Sequence, residues 1–230
     1  MRQPRSRPYS SSVRSRCSSE ARKRLKVQDG YLIAIEGIDA AGKRTQTGLL
    51  SAWLKKTGLR TIRISFPDYG TTIGKEIRIF LSGRRAYPMQ LQHMLFAANR
   101  WEKSDSIKAH LRAGAIVVVN RYTESNLAYG KANGLEVDWL ANLERGIPPA
   151  DLVIVLDASP VSLESRRPAA TKDAYEKSAR LQRDAQNAYR ELAASRGWRL
   201  VDANRPTTDV HGAVVKVVEE AIARDRRISI

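Results

Sequence analysis

Apolar residues along this chain fall into short β-branched runs, separated by longer stretches in which they recur every three or four positions. Five runs predict strands: Tyr31-Leu32-Ile33-Ala34-Ile35, Arg60-Thr61-Ile62-Arg63-Ile64, Ala115-Ile116-Val117-Val118-Val119, Asp151-Leu152-Val153-Ile154-Val155-Leu156 and Trp198-Arg199-Leu200-Val201. The run at 115–119 is apolar without alternation, the mark of a strand covered on both faces. Helical spacing occupies 45–57, about 72–112 (two or three helices, ended by Gly114), 122–145, 160–166, 174–196 and 208–224. Strands alternating with crossover helices specify an α/β fold, a three-layer α/β/α arrangement around a five-stranded, mainly parallel sheet. No internal repeat and no second domain is visible, and the folded domain is expected over 29–230.

Charge changes the picture at one end. The chain of 230 residues carries a net charge of +16, and residues 1–27 hold nine Arg/Lys against a single Glu. Half of the excess therefore sits in a Ser/Arg-rich segment without apolar periodicity, which buries too little to offset the entropy of ordering. Residues 1–28 are expected to be a disordered basic extension. A transit peptide and a polyanion-binding arm are the other readings. The remaining positive charge suits a protein that holds phosphate-bearing ligands. A lone cysteine, Cys17, excludes an internal disulfide framework, and no window reaches the roughly 18 apolar residues of a membrane span. A cytoplasmic protein is expected, or an organellar one if residues 1–28 are a transit peptide.

The strongest chemical signal is Gly37-Ile38-Asp39-Ala40-Ala41-Gly42-Lys43-Arg44-Thr45, which follows a strand and opens a helix. Its glycines let the backbone curl its N–H groups around phosphate oxygens. The helix N-terminus adds a favourable dipole, and Lys43 adds a full charge near the β/γ oxygens. Arg44 stands where a Ser/Thr normally ligates Mg²⁺, and Thr45 comes one residue late. The loop binds phosphate, while its metal must be held by other groups, by water or by the nucleotide.

This loop, with Glu36 before it and Gln46 after it, resembles that of thymidylate kinases. The likeness continues through Phe66-Pro67, Leu95-Phe96-Ala97-Ala98-Asn99-Arg100, Asn120-Arg121-Tyr122, Ser125-Asn126, Ala128-Tyr129 and Asp173-Ala174-Tyr175-Glu176. It implies a P-loop nucleotide-kinase fold with a short lid at about 164–174, ATP as phosphoryl donor, Mg²⁺ as cofactor and a homodimer. It further implies dTMP as acceptor; no membrane partner is expected, since no apolar span is present, and no nucleic-acid partner, since half of the excess charge sits in the extension. By resemblance, Phe66 and Pro67 shape the floor of the acceptor site, and Arg121 holds the acceptor phosphate. Asn126 bonds the base, with Ser125 beside it, and Tyr129 and Tyr175 line the sugar. Asp39 contacts the sugar or orients Mg²⁺ and Arg121, Arg166 or Arg167 closes from the lid, and Glu176 holds a metal-bound water. Phe96 and Arg100, four residues apart on one helix face, can stack on a base and donate to its carbonyl.

The Gly42-Lys43-Arg44-Thr45 spelling resembles a variant found in some bacterial members of the family, while the chain departs from the family at Asn99 and Asn120, where acids are usual, and at Ala174, where arginine often precedes the aromatic residue. Taken singly, several of these residues also have plain structural readings: Ser125-Asn126 as a helix cap, Arg121 in a surface ion pair, Asp39 in a turn-fixing hydrogen bond. The rival functions are a P-loop kinase for dUMP, dCMP or a deoxynucleoside, and a weakened phosphate- or nucleic-acid-binding relative. No histidine is expected at the site, since His93, His110 and His211 do not cluster with any motif.

Overall fold

The computed structural model describes residues 26–27, 30–159, 163, 175, 178–225 and 228–229. The extension up to residue 25, the lid at 164–174 with Arg166 and Arg167, and Glu176 lie outside the described residues. So does the predicted helix at 160–166, apart from Leu163.

Seven short strands and seven helices are described. In chain order they are β1 (Lys26–Val27), β2 (Tyr31–Glu36), α1 (Lys43–Lys56), β3 (Thr61–Ser65), α2 (Thr72–Leu81), α3 (Met89–Arg112) and β4 (Ile116–Asn120). There follow α4 (Thr123–Ala132), α5 (Val137–Leu143), β5 (Leu152–Asp157), α6 (Ala179–Arg196), β6 (Arg199–Asp202), α7 (Thr207–Arg224) and β7 (Ile228–Ser229). β3 to β6 and β2 form the predicted five-stranded sheet, all parallel, in the order β3-β4-β2-β5-β6.

Burial follows the sheet order. Central β2, β4 and β5 are apolar and covered almost throughout, whereas the edge strand β3 exposes alternate residues and the edge strand β6 buries only Val201. The helices pack in two groups, α1 with α7, and α4 with α3, α5 and α6, covering the sheet in layers. Two residues of the expected extension, Lys26 and Val27, pair antiparallel with Ser229 and Ile228 in a separate two-stranded ribbon. The sequence pattern did not predict this pairing. No helix among the described residues is long and apolar enough to cross a membrane.

The strand order positions the site. β3, β4 and β2 lie side by side and run the same way, so the segments leaving their carboxyl ends meet. These segments are Phe66-Pro67, Arg121-Tyr122 and the loop from Gly37. Ligands of open parallel sheets bind at such an edge.

Candidate active site

The phosphate loop is shaped by its backbone. Gly37 has φ 131, and a Cβ there would fall 2.6 Å from the main-chain oxygen of Leu156 on β5, so only glycine fits. Gly42, at φ 91, turns the chain into α1, and Ala40 also lies in the left-handed region at φ 61. Lys43 is buried, and its Nζ donates to the Ile38 carbonyl at 2.6 Å, tying the loop across its mouth. Arg44 and Thr45 are both exposed at the start of α1.

Beside the loop, Asp39 and Arg121 form an ion pair. The other oxygen of Asp39 accepts from Tyr129 Oη and Gln182 Nε2, each at 3.0 Å. Burial by itself would raise the Asp39 carboxyl, but the charges of Arg121 and Lys43 outweigh it and hold the group well below the usual carboxylate range. Arg121 is the residue just past β4. It has φ 61, an uncommon conformation for a side chain of this size that costs on the order of 1 kcal/mol. Its main-chain N–H still bonds the Ile35 carbonyl at 3.1 Å, so the neighbouring strand fixes the strained residue. The guanidinium lies 5.2 Å from the centre of the Tyr129 ring and donates to Ser125 Oγ at 3.3 Å.

These groups open onto a cavity of about 520 Å³. Asp39, Arg44, Asn120 and Arg121 line its phosphate-loop end. Phe66 and Pro67, joined by a cis peptide, line it from the end of β3, and Phe96, Tyr129 and Tyr175 form aromatic walls. Tyr175 stacks on Tyr129 at 6.0 Å and 27°, meets Phe96 edge-on, and donates to Gln92 Oε1 at 2.7 Å. His93, Arg100 and Asn126 close the far end. The loop from Gly37 and the acceptor motifs, scattered over more than a hundred residues of sequence, thus converge.

Several predicted roles are modified. Ser125 is not a helix cap: α4 begins after Tyr122, and the Ser125 hydroxyl donates to Glu36 Oε2 at 2.6 Å from inside the first turn. Asp39 does fix the loop, but through the side chain and main-chain N–H bonded to Gln182, and it also pairs with Arg121. Asn99, where the family usually has an acid, holds the turn after β3, accepting from the Asp68 N–H at 2.8 Å and donating to Thr71 Oγ1 at 2.8 Å. His93, expected to cluster with no motif, is in fact fully buried in the cavity wall and bonds Asn126 Oδ1 at 2.7 Å.

Other residues were given no role by the sequence. Glu36, fully buried at the end of β2, accepts from the Tyr122 N–H, Ser125 Oγ and Tyr189 Oη, and so locks β4 and α4 to the loop. Glu144 forms a buried ion pair with Arg100. Gln182 clamps Asp39. A signal for Gln182 was present, since Gln182, Gln186 and Tyr189 put polar atoms on the apolar stripe of α6. His93 likewise sits three and seven residues before Phe96 and Arg100, on their face of α3.

The described residues contain no group of three or more His, Cys, Asp or Glu side chains able to hold a metal. Mg²⁺ often binds through one or two carboxylates, phosphate oxygens and several waters. The donors here suit that mode. Asp39 is kept ionised, and Asn120 Oδ1 is buried in the cavity wall without a hydrogen-bond partner, ready to accept from a metal-bound water.

Comparison with known proteins agrees with this geometry. A thymidylate kinase family model matches residues 35–214. The thymidylate kinase of Arabidopsis thaliana is 32% identical over 93% of this chain and 78% of its own length, and that of Homo sapiens is 34% identical over 84% and 92%. A probable thymidylate kinase of Thermococcus onnurineus reaches 37% over 84% of this chain and 98% of its own. Among solved structures, the thymidylate kinase of Candida albicans superposes with a TM-score of 0.76 at 28% identity, covering 88% of this chain and 96% of that one. The match spans the sheet, the loop and all the acceptor motifs up to Tyr175, and the chain belongs to the thymidylate kinase family.

Proposed function

We propose that this protein transfers the γ-phosphoryl group of ATP to dTMP, giving dTDP and ADP. The observation that carries the reading is the Asp39–Arg121 pair, held between the phosphate loop and the mouth of an aromatic-walled cavity. Lys43 and the loop N–H groups hold the β/γ-phosphates of the donor. Arg121 exchanges part of its bond to Asp39 for the acceptor phosphate and keeps it in line, and Phe96 stacks on the base. The attacking oxygen already belongs to an ionised phosphate, so no strong base is required. Charge in the loose transition state is spread over oxygens, and positioned cations supply most of the catalysis.

Asp39 with Asn120 is the set that would hold the water shell of Mg²⁺, which would supply neutralising charge for the donor phosphates. Arg166 or Arg167 from the lid and Glu176 beside Tyr175 keep the roles that resemblance gives them. The implied homodimer is supported by Leu91, Met94 and Trp101, large apolar residues exposed along one stripe of α3.

The test is ADP release from ATP and Mg²⁺ with dTMP, dUMP, dCMP or dGMP as acceptor, beside a Lys43→Ala control. Turnover strongest with dTMP and lost in the control is the expected result. A folded protein that binds nucleotide but turns over no acceptor would instead make it a phosphate-binding relative.

A further inference from the structure

The far end of the cavity fixes more than the presence of two polar side chains. The Glu144 carboxylate can only accept hydrogen bonds, and so can the main-chain oxygen of His93. Both lie against the same atom of the Asn126 amide, at 2.8 and 3.2 Å, so that atom is Nδ2. Its two hydrogens are thereby used inside the protein. The other amide atom, Oδ1, faces His93 Nδ1 at 2.7 Å, so Nδ1 carries the imidazole proton. Nε2 is left to accept from Asn133 Nδ2 at 3.3 Å. The ring stays neutral, its pKa lowered to about 4, chiefly by burial.

Arg100 is oriented by the same carboxylate. Its Nε and Nη2 are bound to the two oxygens of Glu144, and Glu144 Oε1 serves Arg100 and Asn126 at once, which sets the two side chains next to each other. Arg100 therefore turns Nη1, with two hydrogens, toward any ligand, and Asn126 turns the remaining lone pair of Oδ1. The wall offers a donor beside an acceptor. Its complement is a ring edge bearing a carbonyl oxygen beside an N–H. Thymine and uracil present that edge at O4 and N3. Cytosine presents the reverse, an amino group beside a bare ring nitrogen, and would leave both protein groups unsatisfied.

We propose that Glu144 and His93 are positioning residues that lock the Asn126 amide in one orientation, and thereby make the site select 4-oxo pyrimidine nucleotides over 4-amino ones. The inference rests on the cavity being the acceptor site, as argued above. The lock lies outside the phosphate-handling machinery, so it governs which base is accepted and leaves the phosphoryl chemistry alone. A site built to hydrogen-bond one pattern rejects the reversed pattern strongly, because its own buried groups go unpaired.

The experiment compares binding of dTMP and 5-methyl-2′-deoxycytidine monophosphate to the full chain by calorimetry. These ligands share size, sugar and phosphate and differ only at that edge. The wild-type protein should prefer dTMP by at least about 100-fold. Glu144→Gln, whose amide can donate as well as accept, frees Asn126 to turn over and should shrink that ratio at least tenfold. His93→Phe keeps a ring against Phe96 but removes the Nδ1 donor, and should shrink it as well. Nitrogen-15 NMR should show His93 protonated at Nδ1 in the dTMP complex, a readout that needs no variant to fold. Equal binding of the two ligands, a ratio unchanged in folded variants, or protonation at Nε2 would each overturn the lock while leaving the kinase reading intact. Failure of dTMP to bind at all would overturn the kinase reading and, with it, this one.

Discussion

The two ends of the cavity are built from different materials. At the phosphate end, one contiguous run, residues 37–45, supplies the shape mostly with its backbone: Gly37 has room for no side chain and Gly42 turns into α1, with one side-chain tie from Lys43 back to the Ile38 carbonyl. At the base end almost nothing is backbone. Arg100 and His93 come from α3, Asn126 from α4 and Glu144 from the turn after α5, and they hold one another through buried hydrogen bonds. A backbone cradle is indifferent to which nucleotide arrives, since every nucleotide brings phosphate. A side-chain network has a donor and acceptor pattern and can discriminate. The first end is suited to chemistry and the second to choice.

That contrast predicts where substitutions act. The largest effect is expected from Lys43→Ala, which removes a full charge from the donor phosphates. Turnover should fall about 10³-fold, roughly 4 kcal/mol of barrier. Stability in urea should fall by only about 1 kcal/mol, the worth of the bond from Nζ to the Ile38 carbonyl, because the rest of the loop shape belongs to its glycines and to Gln182. A large loss of stability would show that the loop depends on this side chain and break the contrast. Next comes Glu144→Ala, which leaves Arg100 charged and unpaired in a buried site. About 3 kcal/mol of stability should be lost in urea unfolding, as for other broken buried pairs.

Acid should then separate the ends. The folded-state pKa of His93 is lowered from 6.5 to about 4, so between these values the unfolded chain binds a proton that the folded one refuses. Stability should therefore fall as the pH drops through that window, by on the order of 2 kcal/mol. Asp39, also lowered, is silent there, because its contribution is lost only as the pH falls below its unfolded value near 3.8. Glu124 is raised to about 7 by burial and then by Glu36, and works in the opposite sense, while His211 is lowered by burial and works in the same sense as His93. The measurement is accordingly the difference between wild type and His93→Phe in urea midpoints from pH 7 to 4. A difference that does not change with pH would refute the neutral, buried histidine. The smallest effect is expected from Gln182→Met, which frees Asp39 of one clamp while Arg121 and Tyr129 remain. It should cost about 1 kcal/mol in stability, with turnover reduced tenfold or less.

The same difference in materials explains what could be read from the chain. The loop was legible because its residues are consecutive and its geometry demands glycine at fixed places. The sheet was legible because β2, β4 and β5 are buried on both faces and carry unbroken apolar runs. Phe96 and Arg100 were legible as a helical pair, together with the family likeness of Arg121, Asn126 and Tyr129. Glu144 was not, since a lone acid before Arg145-Gly146 looks like surface until the fold sets it against α3. His93 had the right spacing on α3 but was set aside as clustering with no motif. Its contact is with a side chain 33 residues away, and no local pattern announces such a partner. The β1–β7 ribbon pairs opposite ends of the chain, which no short window can show.

Arg121 has a consequence for anyone who evolves this protein in the laboratory. Its backbone adopts a conformation that glycine would take without strain, at φ 61. Relief of that strain is worth on the order of 1 kcal/mol, but Arg121→Gly would also leave the buried Asp39 carboxylate without its partner, as Glu144→Ala does to Arg100, at a cost of about 3 kcal/mol. Selection for heat tolerance and selection for growth should therefore both hold the arginine at this codon. A library in which the codon drifts to glycine under heat alone would show that the strain outweighs the pair.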